Sequence, residues 1–136
     1  MKKRNLIISV LLGLCMILSA FGLFACDKKE EVQPVVIRVE EPVAEGTTLL
    51  DIMQEMKTAG KLKFTVADGM VTEINGVKNA LNYNPFWALY TSDKENSNTE
   101  WGSYNFDGQT LGSAMYGAGD LVVKEGEVYV WVYQSM

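Results

Sequence analysis

The chain is 136 residues long, has no histidine and two cysteines, and carries 12 basic against 17 acidic side chains for a net charge of −5. Without imidazole, the familiar catalytic triads, histidine proton relays and histidine-based zinc sites are excluded. The acidic balance argues against nucleic acid as a partner, since that requires concentrated positive charge.

Lys2, Lys3 and Arg4 precede an apolar stretch from Leu6 to Phe24, the architecture of an export signal. An uncleaved helix of about 20 residues also crosses a hydrocarbon layer of about 30 Å, so the end of the stretch decides between the two. Leu23, Phe24, Ala25 and Cys26 resemble the lipobox of bacterial lipoproteins. The resemblance implies cleavage before Cys26, lipid on its sulfur, and a mature protein held at the extracytoplasmic face of the cell membrane. Chemically this suits a thiolate, the nucleophile available near neutral pH. Two acyl chains give the stable anchor that one does not, at about 0.8 kcal/mol per buried CH₂. Cys15 lies inside the signal, so the mature body keeps no thiol for a disulfide or metal site. Cleavage leaves 111 residues with nine basic and 17 acidic side chains, a balance of −8. The expected division is a signal peptide over 1–25, a polar tether over 26–34 and a single folded domain over 35–136.

Val35, Val36, Ile37 and Val39 have the β-branched content of a strand that ends at Glu40, Glu41 and Pro42. A short extended piece is expected at Val43 and Ala44. Residues 48–59 read as the one helix: Thr48 caps it, Asp51 stands in the capping-box position, and Gly60 supplies the stop. Leu49, Ile52, Met53, Met56 and Ala59 share a face at helical spacing, which marks core rather than a ligand stripe. The period then changes to two, with Leu62, Phe64 and Val66 alternating with polar residues. Asp68 and Gly69 turn the chain into a strand over 70–74 that Asn75 and Gly76 end. Residues 86–91 and 127–134 read as further strands, and 93–99 as a polar loop. The expected fold class is α+β, with a small mixed sheet packed on one helix.

"VAEGTTLLDIM", "GMVTEINGV", "FWALY" and "VVKEGEVYVWVY" resemble, in sequence and order, the transcobalamin-like carboxy-terminal domain of Gram-positive lipoproteins, a family of otherwise undefined function. The resemblance covers most of 35–133 and implies a β-grasp-like fold grouped with soluble-ligand-binding domains. It makes Trp87 the family's tryptophan on its strand. Cobalamin is the ligand the family name suggests, but the large helical domain that completes that site in transcobalamin is absent from this chain.

Tyr83, Phe86, Trp87, Tyr90, Trp101, Tyr104, Phe106 and Tyr116 crowd the middle of the chain, and a small domain does not readily bury so many rings of about 150–250 Å² each. In the last strand Val128, Val130 and Val132 point one way, expected toward the helix, while Tyr129, Trp131 and Tyr133 point the other. Trp87, Trp101, Tyr104, Tyr129 and Trp131 are therefore the candidate ligand-binding residues, and Cys26 the lipid attachment. The expected function is a noncatalytic binding module that offers an aromatic patch to a small molecule, a glycan or a cobalamin-like ligand. The alternatives are an adaptor for another envelope protein through the same rings and a weak calcium-binding protein. Residues 93–98 offer oxygen ligands at alternating positions, Asp93, Glu95 and Ser97, like the start of a calcium loop, but Asn98 and Tyr104 stand where glycine and glutamate belong. No residue pattern points to an active site: the serines lack a base, and "GQTLGSAMYGAG" lacks the phosphate-loop lysine.

Overall fold

Thr48 opens the helix as its side chain predicts. In the computed structural model, which describes residues 31–136, Thr48 Oγ1 accepts a hydrogen bond from Asp51 N (3.2 Å), and Asp51 Oδ2 accepts one from Thr48 N (3.0 Å). This reciprocal cap starts α1 (Leu49–Thr58), and Gly60, at φ +75°, ends it. Leu49 and Met53 are fully buried. The first helical amides are satisfied by a later loop: Leu49 N donates to Leu121 O (2.8 Å) and Leu50 N to Ala118 O (2.9 Å). Residues 43 and 44 form no strand. Ala44 O instead closes a turn by accepting from Thr47 N.

Five strands, β1 (Val35–Arg38), β5 (Phe86–Thr91), β6 (Ser97–Phe106), β7 (Gln109–Ala114) and β8 (Val128–Gln134), form one sheet in the order β1-β8-β5-β7-β6. A second sheet holds β2 (Phe64–Ala67), β3 (Met70–Ile74) and β4 (Val77–Lys78). Every pairing is antiparallel. The α+β expectation, a β-grasp-like small mixed sheet on one helix, is therefore corrected. Among the described residues the protein is mostly β, with eight strands in two antiparallel sheets and one α-helix. The physical reason is the β6–β7 hairpin, which arises from a segment that opens in the polar loop over 93–99 and is assigned no strand beyond it. Its strands need few apolar residues because Tyr104, Phe106 and Leu111 suffice to fasten it to Tyr90, Val128 and Val130.

That hairpin also decides what covers each face. The five-stranded sheet curls until its two edges touch: Arg38 on β1 pairs with Asp107 at the hairpin turn (3.4 Å), and its guanidinium lies over the Phe106 ring at 5.2 Å. The valines of β8 face into this curl and pack on the hairpin, so their expected contact with the helix is also corrected. The other face, with Ile37, Trp87, Leu89, Tyr129 and Trp131, is buried beneath the rest of the molecule. Near Tyr129 the cover is the loop that caps the helix, since Lys124 N donates to Tyr129 Oη (3.0 Å). Near Trp87 it is the small sheet, whose Val77 O accepts from Trp87 Nε1 (2.8 Å).

Candidate functional site

β5 pairs with β7 only at Tyr90 and Thr91. Along residues 86–89 the two strands have parted, because β7 ends at Ala114 and the chain veers off, Met115 N donating to Asn96 O (2.9 Å). A cavity of about 270 Å³ opens in this gap. All three tryptophans of the chain line it. Trp87 and Trp131 form its inner wall, each only 5% exposed, whereas Trp101 stands at 63%, with Tyr83 and Tyr116 about half exposed.

Local structure sets each ring. Trp87 is fixed at both ends: its backbone N donates to Asn79 Oδ1 (2.7 Å) and its indole N–H to Val77 O. Trp131 faces Leu89 across the β8–β5 ladder. Its Nε1 is the only buried side-chain polar atom among the described residues without a hydrogen-bond partner. Trp101 lies in the bulge where β6 loses register with β7 between Asn98 and Ser103, and this turns its ring outward. Tyr83 holds a left-handed backbone at φ +56°, a conformation rare for aromatic residues and enriched at functional sites.

The lining has no charged side chain. It offers rings, methyl groups and the amides of Asn79 and Gln134, with Gln134 Oε1 accepting from Tyr90 Oη (2.9 Å). This arrangement suits a small, uncharged, ring-bearing molecule. It has no carboxylate, lysine or imidazole with which to move a proton near neutral pH. A larger hollow of about 650 Å³ runs along residues 38–44 and the helix flank. It is lined by charges of both signs without an aromatic ring, and so has the character of solvated surface.

Trp87, Trp101 and Trp131 thus come together as nominated. Tyr104 and Tyr129 do not join them. Tyr104 stacks on Tyr90 inside the curl (centroids 5.7 Å, 29°), and Tyr129 is wholly buried. Cys26 lies outside the described residues. Tyr83, Tyr116, Met70, Asn79 and Gln134 also line the cavity, none of them among the candidate ligand-binding residues of the sequence. Tyr83 and Tyr116 belonged to the aromatic cluster, but only the parting of β5 from β7 selects them.

The carboxylate of Asp93, at the start of the calcium-loop-like segment, is engaged within the protein. Its Oδ1 accepts from Glu95 N (3.1 Å) and Lys124 Nζ (3.3 Å), and its Oδ2 from Asn96 Nδ2 (2.7 Å). An ammonium ion thus stands where a cation would. Among the described residues no group of three or more His, Cys, Asp or Glu side chains is placed to hold a metal. No helix among them is long and apolar enough to cross a membrane. No family model, curated protein or solved structure matches the chain.

Burial raises the pKa of Tyr129 above the ordinary tyrosine value of 10.0, nearby carboxylates adding to the effect and the hydrogen bond from Lys124 N opposing it. A group whose folded pKa is raised contributes stability that is complete below the unfolded pKa, about 10, and is lost as pH climbs through the higher folded value. The expected result is a steep fall in urea midpoint above pH 10. In Tyr129→Phe the fall is shallower, starting from a stability about 1 kcal/mol lower at neutral pH because Lys124 N loses its acceptor. Parallel curves for the two proteins would contradict it.

Proposed function

We propose that this chain is a lipid-anchored, extracytoplasmic binding protein, noncatalytic, whose Gln33–Met136 unit takes a small uncharged molecule with a flat or sugar-like ring into the cavity beside β5. One observation carries this reading: every tryptophan in the sequence, contributed by β5, β6 and β8, meets at a single uncharged pocket. Trp87 and Trp131 shape it, and Trp101, Tyr83 and Tyr116 offer exposed rings for stacking. The cavity falls just under the range of about 300–1,000 Å³ typical of drug-sized ligands, so a molecule as large as cobalamin is not enclosed by it. The lipobox supports placement at the outer face of the membrane.

The test is tryptophan fluorescence against a panel of neutral pyranosides and planar heterocycles. A ligand is expected to quench the protein, and Trp101→Ala to weaken binding by about 30-fold, the effect of losing a contact worth about 2 kcal/mol. Because Trp101 is exposed, its removal should shift stability by no more than about 0.5 kcal/mol. Unchanged affinity in Trp101→Ala for a ligand that quenches the wild type would remove the pocket from the reading.

A further inference from the structure

We propose that the end of the domain from which the tether leaves docks on the lipid bilayer, with Leu81 and Tyr83 entering the headgroup interface. This rests on the lipid anchor at Cys26 proposed above. β1 runs antiparallel to β8, and β8 antiparallel to β5, so the start of β1, the end of β8 and the start of β5 lie at one end of the sheet. The chain enters β1 at Val35 there, and the loop over residues 79–85 feeds Phe86 there. Asn84 Oδ1 accepts from Met136 N (3.1 Å), which holds that loop beside the end of β8.

The tether is short for the body it carries. Nine residue steps separate Cys26 from Val35, a span of at most about 30 Å. A domain of about 100 residues has a radius of gyration of about 13 Å, so even the longest span the linking chain allows is no greater than the domain is wide. Turning its far end to the membrane would require winding the tether around the body.

The two ends differ in chemistry. Residues 79–92 and 128–136 contain no charged side chain. Leu81 is fully exposed and Tyr83 half exposed, on the turn that holds Tyr83 at positive φ. The charged neighbours Glu73 and Lys78 pair with each other at 3.9 Å. At the opposite end the strands run into Arg38, Glu40, Asp93, Glu95, Lys124 and Glu127. Anionic leaflets repel a domain whose residues 35–136 carry seven basic and 14 acidic side chains, a balance of −7, and the end whose nearby charges are Glu31 and the Glu73–Lys78 pair approaches with less of that penalty than the opposite one. Tyrosine suits the headgroup level, with leucine just below it. Tyr83 also lines the pocket, which brings molecules residing at the interface within reach of it.

The test uses the lipidated protein in phosphatidylcholine–phosphatidylglycerol vesicles containing a shallow nitroxide lipid. Leu81→Cys gives the acylated chain one free thiol for a bimane label, and Glu125→Cys gives the same label at the charged end. The label at 81 is expected to be quenched about threefold more than that at 125, because interfacial apolar groups sit roughly 5–10 Å into the headgroup boundary. Equal quenching at the two positions, or greater quenching at 125, overturns the docking. Shielding of position 81 in native membranes but not in protein-free vesicles also overturns it, in favour of a protein partner. The mass of the Cys26 adduct separates the failures: acylated protein unquenched at 81 refutes docking alone, and unacylated protein refutes the anchor and the docking with it.

Discussion

Trp87→Ala is expected to lose about 3–5 kcal/mol of stability, the usual cost of emptying a large buried aromatic site. Trp87 does more than fill space. Its indole N–H bonds Val77 O, its backbone N–H bonds Asn79 Oδ1, and its ring packs on Tyr133 at 5.1 Å. Tyr133 Oη in turn donates to Lys78 O (2.7 Å). The three-stranded sheet is thus fastened to the five-stranded one through β4 and the residue after it. Trp87→Phe should recover most of the packing yet still cost about 1–3 kcal/mol, because the Val77 carbonyl is left without its donor. Urea denaturation gives the totals, and hydrogen exchange gives the pattern. In Trp87→Ala, amides of β3 and β4 should lose protection before those of β8, as a subunit of the fold released from its clamp. A loss below 1 kcal/mol, or loosening spread evenly over both sheets, would place the clamp elsewhere.

Where local chemistry dictates structure, the sequence could be read. Thr48 and Asp51 fix the start of α1 with side chains three residues apart, Gly60 ends it through a left-handed backbone, and Phe64, Val66, Asp68 and Gly69 fix a hairpin by equally local means. The β6–β7 hairpin escaped because its signal is scrambled. Residues 99–102, Trp101 among them, bulge out between Asn98 and Ser103, so the strand is interrupted midway and too few apolar residues stand on either side of the break to show an alternation. A period-two pattern cannot be seen across a register shift. Missing two strands was enough to turn a mostly β protein into an apparent α+β one. The valine face of β8 was lost for a related reason. Alternation separates Val130 from Trp131, but the partner of each face depends on a curl closed by Arg38 and Asp107, 69 positions apart.

The site was half legible on the same terms. Trp87 and Trp131 share a face by parity, and β8–β5 pairing sets them two residues apart along the ladder. Tyr129 has the same parity but sits two residues earlier on β8, where Lys124 and the helix-capping loop close over it. Parity gives the face and leaves the depth along the strand open. Tyr104 lies on the β6–β7 hairpin, whose strands no alternation in the sequence marks. Tyr83 and Tyr116 reach the pocket only because β7 parts from β5, an event that leaves no local mark in either segment.

Asp93→Ala is expected to cost about 2–3 kcal/mol, below the roughly 3–5 kcal/mol of a fully buried broken pair. Asp93 is 3% exposed and gathers three donors, from Glu95, Asn96 and Lys124. The first two would be stranded without acceptors, whereas the Lys124 side chain, 40% exposed, can recover water. Lys124 has a pKa above its ordinary value, chiefly through its hydrogen bond to Glu95, with Asp93 adding to the shift and burial opposing it. That ranking does not carry over to stability, because Glu95 is 83% exposed and solvent screens an exposed ion pair. Glu95→Gln should therefore change the urea midpoint little, and Asp93→Ala much more. The effect should also travel. Asp93 caps the short 3-10 turn Lys94–Asn96 that delivers the chain into β6, and the β6 bulge carries Trp101. Loosening the turn frees the outer tryptophan while Trp87 and Trp131 stay packed, so the Asp93→Ala protein should show a red-shifted, more easily quenched part of its emission before any global unfolding. An unshifted spectrum together with the full stability loss would mean that the bulge is held by β7 alone.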